Sequence, residues 1–119
     1  QGFFDILYRV HQEYYPKQIT VTENGASYSD GPDESGKVHD QRRIDYFQTH
    51  LQALWQAIQA GAPVTAYIAW SLMDNFEWAH GYGQRFGLVF VDYKTLQRIP
   101  KDSAYWYAQV IKQNGVFET

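Results

Sequence analysis

The chain has 119 residues, 45% hydrophobic and 18% aromatic, with ten Lys and Arg against thirteen Asp and Glu, a formal charge of −3 and no cysteine. That aromatic content with so small a charge excludes a disordered chain, and the missing cysteines exclude a disulfide framework. A mildly acidic balance without any cluster of Lys or Arg leaves no electrostatic footprint for nucleic acid or an anionic membrane surface.

The longest mainly apolar stretch, Val64 to Met73, covers ten residues, well short of the roughly 18 that indicate a spanning helix. The opening residues Gln1-Gly2-Phe3-Phe4-Asp5 hold neither an initiating Met nor a basic region before an apolar one; they read as a cut end rather than a signal peptide. Without an export signal or cysteine, the cytoplasm is the default compartment. A single unit over residues 1–119 is expected, since no segment repeats another.

Phe3, Phe4, Leu7, Tyr8, Val10, His11, Tyr14 and Tyr15 recur at three- and four-residue steps, the stripe of an amphipathic helix that Pro16 stops. Ile19-Thr20-Val21-Thr22 is a β-branched run, which predicts a strand, and Asn24-Gly25 reads as a turn closing it. From Asn24 to His39 the chain is rich in Gly, Ser and acids without periodicity, which predicts a long surface loop. Asp40 is suited to cap a second helix whose inward face is Ile44, Phe47, Leu51, Leu54, Trp55 and Ile58, ended by Gly61 and Pro63. Asp40, Arg43 and Asp45 read as a cap and surface charges, with no chemistry assigned.

Val64 to Trp70 follows as a nearly continuous apolar strand, the pattern of a parallel sheet covered on both faces. Ser71 to Gly87 is a second long irregular connection. Leu88 to Tyr93 and Arg98 to Pro100 form an expected hairpin, after which Ser103 can cap a last helix, Ala104 to Gln113, with Trp106, Tyr107, Val110 and Ile111 inward. This alternation is that of an α/β protein with a parallel sheet or barrel, and both long loops leave the C-terminal ends of strands, the side that carries the active site of a β/α barrel. A barrel needs eight strands in roughly 250 residues, so this chain would supply only a part.

Glu23 stands where the first strand ends, at the mouth of the sheet; the plainer reading is an exposed acid in an Asn-Gly turn. Trp70 to Trp78, followed by Tyr82, Arg85 and Phe86, sets polar groups among aromatic planes. A sugar ring offers apolar faces and a rim of hydroxyls, which Trp70, Trp78 and Phe86 could meet with planes and Glu77 with a carboxylate. Equally, the aromatics could pack beneath a loop with Glu77 paired to Arg85. His11, His39, His50 and His80 show no metal-ligand spacing, and neither a Gly-rich phosphate loop nor a Gly-x-Ser-x-Gly elbow is present. No metal or other cofactor is expected.

Together, Ile19-Thr20-Val21-Thr22-Glu23-Asn24-Gly25, Asp40 with Arg43, Tyr46 and His50, Trp70 to Trp78, Gly81-Tyr82, Arg85-Phe86-Gly87-Leu88, Val91-Asp92-Tyr93 and Trp106-Tyr107 resemble the C-terminal part of family 1 glycoside hydrolases, the β-glucosidases and their relatives. The resemblance runs along almost the whole chain, in order and at the family's spacing. It implies a (β/α)8 TIM barrel of which this chain supplies strands seven and eight with flanking helices. It implies Glu23 as the nucleophile of a retaining mechanism, with the general acid/base Glu in an Asn-Glu-Pro element outside these residues. Trp70 then resembles the platform under the sugar, Glu77 the acceptor for the hydroxyls at carbons four and six, Trp78 a donor to carbon three, and Phe86 an apolar wall. Glu77-Trp78 points to an unphosphorylated β-glucoside or cellobiose-like substrate, with galactoside and fucoside open. The partner implied is the N-terminal segment of the same barrel; a non-catalytic sugar-binding module and a half-barrel closing on a second copy are the competing readings.

Overall fold

The computed structural model describes residues 1–116, and the last three of the expected 1–119 unit lie outside the described residues. In chain order the elements are α1 (Gly2–Tyr14), β1 (Ile19–Asn24), α2 (Gln41–Gln59), β2 (Val64–Ala69), a 3₁₀ turn (Trp78–His80), β3 (Val89–Val91), β4 (Arg98–Pro100) and α3 (Asp102–Gln113). The predicted order holds. α1 ends as Tyr15 turns into the left-handed region at φ 48°, its N–H donating to the His11 carbonyl. α2 ends before Gly61, whose φ of 97° is the conformation a glycine takes most cheaply after a helix.

β1 and β2 pair in parallel across α2, as a crossover unit requires, while β3 and β4 form a separate antiparallel hairpin that matches Val89 to Pro100 and Val91 to Arg98. The core lies on one face of the parallel pair: Leu7, Val21, Leu54, Ala57 and Ala62 are buried together, with Phe3, Phe4, Ile19, Val64 and Tyr67 packed against them. β2 is therefore not covered on both faces as its composition predicts; Ile68 is 52% exposed, because the helices lie on one side only.

Strand pairing also corrects the reading of Asn24-Gly25 as a turn. β1 continues through Asn24, and the Trp70 N–H donates to the Asn24 carbonyl at 2.8 Å. Between the pairs Val21–Tyr67 and Asn24–Ala69, β1 advances three residues while β2 advances two. One extra residue reverses the alternation of side chains. Asn24 thus joins Val21 on the helix side, where its Nδ2 donates to the Tyr46 hydroxyl (3.2 Å) and its Oδ1 accepts from the Tyr67 hydroxyl (2.6 Å). Glu23 is left exposed on the bare face.

Other expectations need adjustment. On α2, Ile44, Phe47, Leu51 and Leu54 are buried as predicted, but Trp55 is 60% exposed and Ile58 is exposed, while Ala53 and Ala57 turn inward. Ile111 of α3 is exposed as well. Asp40 and Arg43 are not surface charges: both side chains are fully buried, joined at 2.8 Å. Asp40 makes no side-chain cap bond to α2; its carboxylate instead accepts the N–H (2.9 Å) and hydroxyl (2.6 Å) of Ser103. Ser103 in turn lies inside α3, which starts at Asp102, rather than capping it. The segment 25–39 is tied down rather than loose. Val38, 1% exposed, bridges to Lys101, and the Asp33 carboxylate accepts the N–H groups of Ser35 and Lys37.

Candidate active site

At the C-terminal ends of β1 and β2 an open cleft of about 430 Å³ is lined by Glu23, Trp70, Glu77, Trp78 and Phe86, joined by Asn24, Gly25 and Tyr46. All five residues singled out in the sequence meet there. β1 delivers Glu23, and Trp70 is the first residue past β2. The two strand ends approach so closely that a Cβ at Gly25 would stand 1.8 Å from the Trp70 carbonyl oxygen, so only glycine fits. The Trp70–Ser71 peptide bond is cis.

Glu77 and Trp78 are held by a tight backbone loop: Glu77 N–H donates to the Gly81 carbonyl (2.7 Å) and its own carbonyl accepts from His80 N–H (2.8 Å). Trp78 takes φ 41°, a left-handed conformation that costs a bulky residue on the order of 1–3 kcal/mol, and the residue is 84% exposed where it lines the cleft. Phe86 is fixed through its carbonyl, which accepts from Ser71 N–H at 3.1 Å. The alternative pairing of Glu77 with Arg85 does not occur. Arg85 instead donates to Asp74 at 2.6 Å and to the Val91 carbonyl at 2.9 Å.

Asp74 is the hub beneath this loop, and nothing in the spacing marked it. Its buried carboxylate accepts from Arg85, from the Gly87 N–H (3.0 Å) and from the fully buried Lys101 ammonium (3.0 Å). Burial, and next the nearby positive charge of Arg43, pushes the Lys101 ammonium below its ordinary pKa, against the pull of Asp74 and Asp40. Gly87 is needed here too, since a Cβ there would lie 2.1 Å from Asp74 N. Tyr46 was likewise missed as a cleft residue; burial raises its phenol pKa, partly offset by the bond from Asn24. Among the described residues no group of three or more His, Cys, Asp or Glu side chains could hold a metal ion, and no helix is long and apolar enough to cross a membrane.

An exposed carboxylate at a strand end, Glu23, thus shares this cleft with a second carboxylate, Glu77, and three aromatic side chains. The family model described as glycosyl hydrolase family 1 matches residues 1–116. The chain belongs to glycosyl hydrolase family 1. It is 55% identical over 98% of its length to a 1,4-beta-D-glucan glucohydrolase of Thermotoga neapolitana. It superimposes with a TM-score of 0.97, at 53% identity and over 98% of its length, on a family 1 β-glucosidase from Thermotoga maritima. A 6-phospho-beta-galactosidase of Staphylococcus epidermidis is 47% identical over the same share. This family 1 chain spans about a quarter of the length of these relatives, 26%, 26% and 25% in turn.

Proposed function

We propose that this chain carries the nucleophile and the sugar-rim residues of a retaining β-glucosidase, as strands seven and eight of its barrel. The observation that carries the reading is the convergence of Glu23, Glu77 and the three aromatic planes of Trp70, Trp78 and Phe86 on one cleft at the strand ends. Glu23 attacks the anomeric carbon of a terminal non-reducing β-glucosyl residue; the bond to the leaving oxygen breaks as a second carboxylic acid protonates it. That acid, about 5–5.5 Å from the nucleophile in retaining enzymes, later takes a proton from the water that frees the sugar. It belongs to the rest of the barrel, since no Asn-Glu pair occurs in this sequence.

Glu77 accepts from the hydroxyls at carbons four and six, Trp78 donates to that at carbon three, and Trp70 and Phe86 meet the apolar ring faces. The Glu77 carboxylate suits hydroxyls and would repel a phosphate, which favours an unphosphorylated glycoside over the substrate in the phospho-galactosidase relative's name. The bare face of β2 and an apolar groove of about 930 Å³ between α2, β2 and α3, lined by residues such as Leu51, Trp55, Tyr67 and Ile111, support docking onto the remaining strands and helices.

The test is intact mass after treatment with a 2-fluoro glucoside, on this chain alone and on the chain joined to the rest of its barrel. An adduct on Glu23 in the assembly, absent in Glu23→Gln, is the expected result. An assembled, folded protein that gains no adduct and turns over no β-glucoside would reduce the cleft to sugar binding.

A further inference from the structure

Arg43 lies outside the cleft lining, yet its buried guanidinium reaches both segments that build the cleft. Its Nη1 donates to the Ala26 carbonyl, and its Nη2 donates to the carbonyls of Arg85 (3.1 Å) and Tyr28 (3.5 Å). Ala26 follows Glu23 by three residues on the chain leaving β1, and Arg85 immediately precedes Phe86. The Arg43 Nε donates to the Asp40 carboxylate at 2.8 Å, which compensates the buried charge and is itself held by Ser103. The same two segments exchange direct bonds beside it: Tyr28 N–H to the Arg85 carbonyl (3.2 Å) and Arg85 N–H to the Ser27 hydroxyl (3.0 Å).

We propose that Arg43 is a positioning residue: its guanidinium clasps the segment that follows Glu23 to the segment that carries Phe86, and thereby sets the spacing of the carboxylate against the aromatic wall. Irregular segments have no ladder to satisfy their carbonyls, so a planar group with five fixed donors substitutes for one. A lysine cannot replace it, since one ammonium on a flexible stem cannot serve Asp40 and carbonyls on two segments together. The mechanical part stands on these bonds alone; the consequence for turnover rests on the proposed function.

The experiment is Arg43→Lys in the chain assembled with the rest of its barrel, read by hydrogen exchange and by hydrolysis of an aryl β-glucoside. Exchange at the Tyr28 and Arg85 amides should quicken while the β1–β2 amides hold their rates. Turnover should fall on the order of 10- to 100-fold, with a much smaller change in KM, as small misplacements of reacting groups do. A folded variant with unchanged exchange at Tyr28 and Arg85, or with exchange raised equally throughout, would overturn the clasp. Selective loosening in an assembly that has no glycosidase activity would uphold the clasp and reject the catalytic reading instead. Should Arg43→Lys fail to fold, the wild-type Arg43 Nε–H serves: it should exchange in step with the Tyr28 and Arg85 amides under graded denaturant, and opening of those amides while Nε–H stays protected sinks the idea.

Discussion

Two halves of this molecule are held by different chemistry. The layer of α1 and α2 on the β1–β2 pair is apolar, with Leu7, Val21, Leu54 and Ala57 at its centre. The layer beneath the cleft, where segments 25–39 and 70–88 meet the hairpin and α3, is held by buried charge: Asp40 with Arg43 and Ser103, and Asp74 with Arg85 and Lys101. Regular elements satisfy their own backbone and need only an apolar face covered, whereas irregular segments bring carbonyls and N–H groups that must find partners. The site stands on the second kind of layer. Its geometry therefore depends on a few directional bonds rather than on a volume filled.

Breaking the charged layer should have the larger effect. Asp74→Ala leaves the buried Lys101 ammonium without its carboxylate and takes one from the part-buried Arg85, and removing one partner of a buried ion pair costs about 3–5 kcal/mol. Denaturant unfolding of the assembled protein is expected to show that loss, with the Trp78 environment changed in fluorescence; a loss below about 1 kcal/mol would place water at those cations. In the apolar layer, Leu54→Ala should cost about 2–4 kcal/mol through the cavity it leaves. It should spare the cleft, so the 2-fluoro glucoside adduct should form at an unchanged rate in protein that remains folded. A slowed adduct would show the two layers to be coupled.

The smallest effect is expected at the exposed rim of the charged layer. His39 bonds Asp102 through Nδ1 (2.6 Å) and Asp33 through Nε2 (3.2 Å), which needs both ring nitrogens protonated. The bond to Asp102, and then its charge, raises the imidazole pKa above the ordinary 6.5. Asp33 stays ionised throughout, its carboxyl drawn down to about 2 first by the Lys37 N–H and next by the Ser35 hydroxyl. A raised folded-state pKa means the contact stabilises fully below about pH 6.5 and is lost as pH rises through the raised value. Thermal unfolding should accordingly fall slightly across that window, and His39→Gln should flatten the fall; identical slopes for the two proteins would dismiss the latch.

Much of this was legible in the chain's pattern. Three- and four-residue spacing marks α1 and α2, a β-branched run marks β1, an apolar run marks β2, and the residue types beyond the strands single out Glu23, Trp70, Glu77, Trp78 and Phe86, which line one cleft. Errors fell where partners distant in sequence decide. Asp40 looks like a helix cap because Asp favours that position locally, yet it serves Ser103, sixty-three residues on. Trp55 and Ile111 look like core by hydrophobicity, and lie exposed on an apolar groove.

Which segments are helix and strand, their order, and the residue types available at the strand ends follow from local periodicity and turn chemistry. Which way Glu23 faces hangs instead on one extra residue in the β1–β2 register, a matter of strand pairing. The contact of Gly25 with the Trp70 carbonyl and the service of Arg43 to two segments at once are likewise products of the folded arrangement. Such contacts are set by where separate segments meet in space, and no single stretch of sequence carries that information.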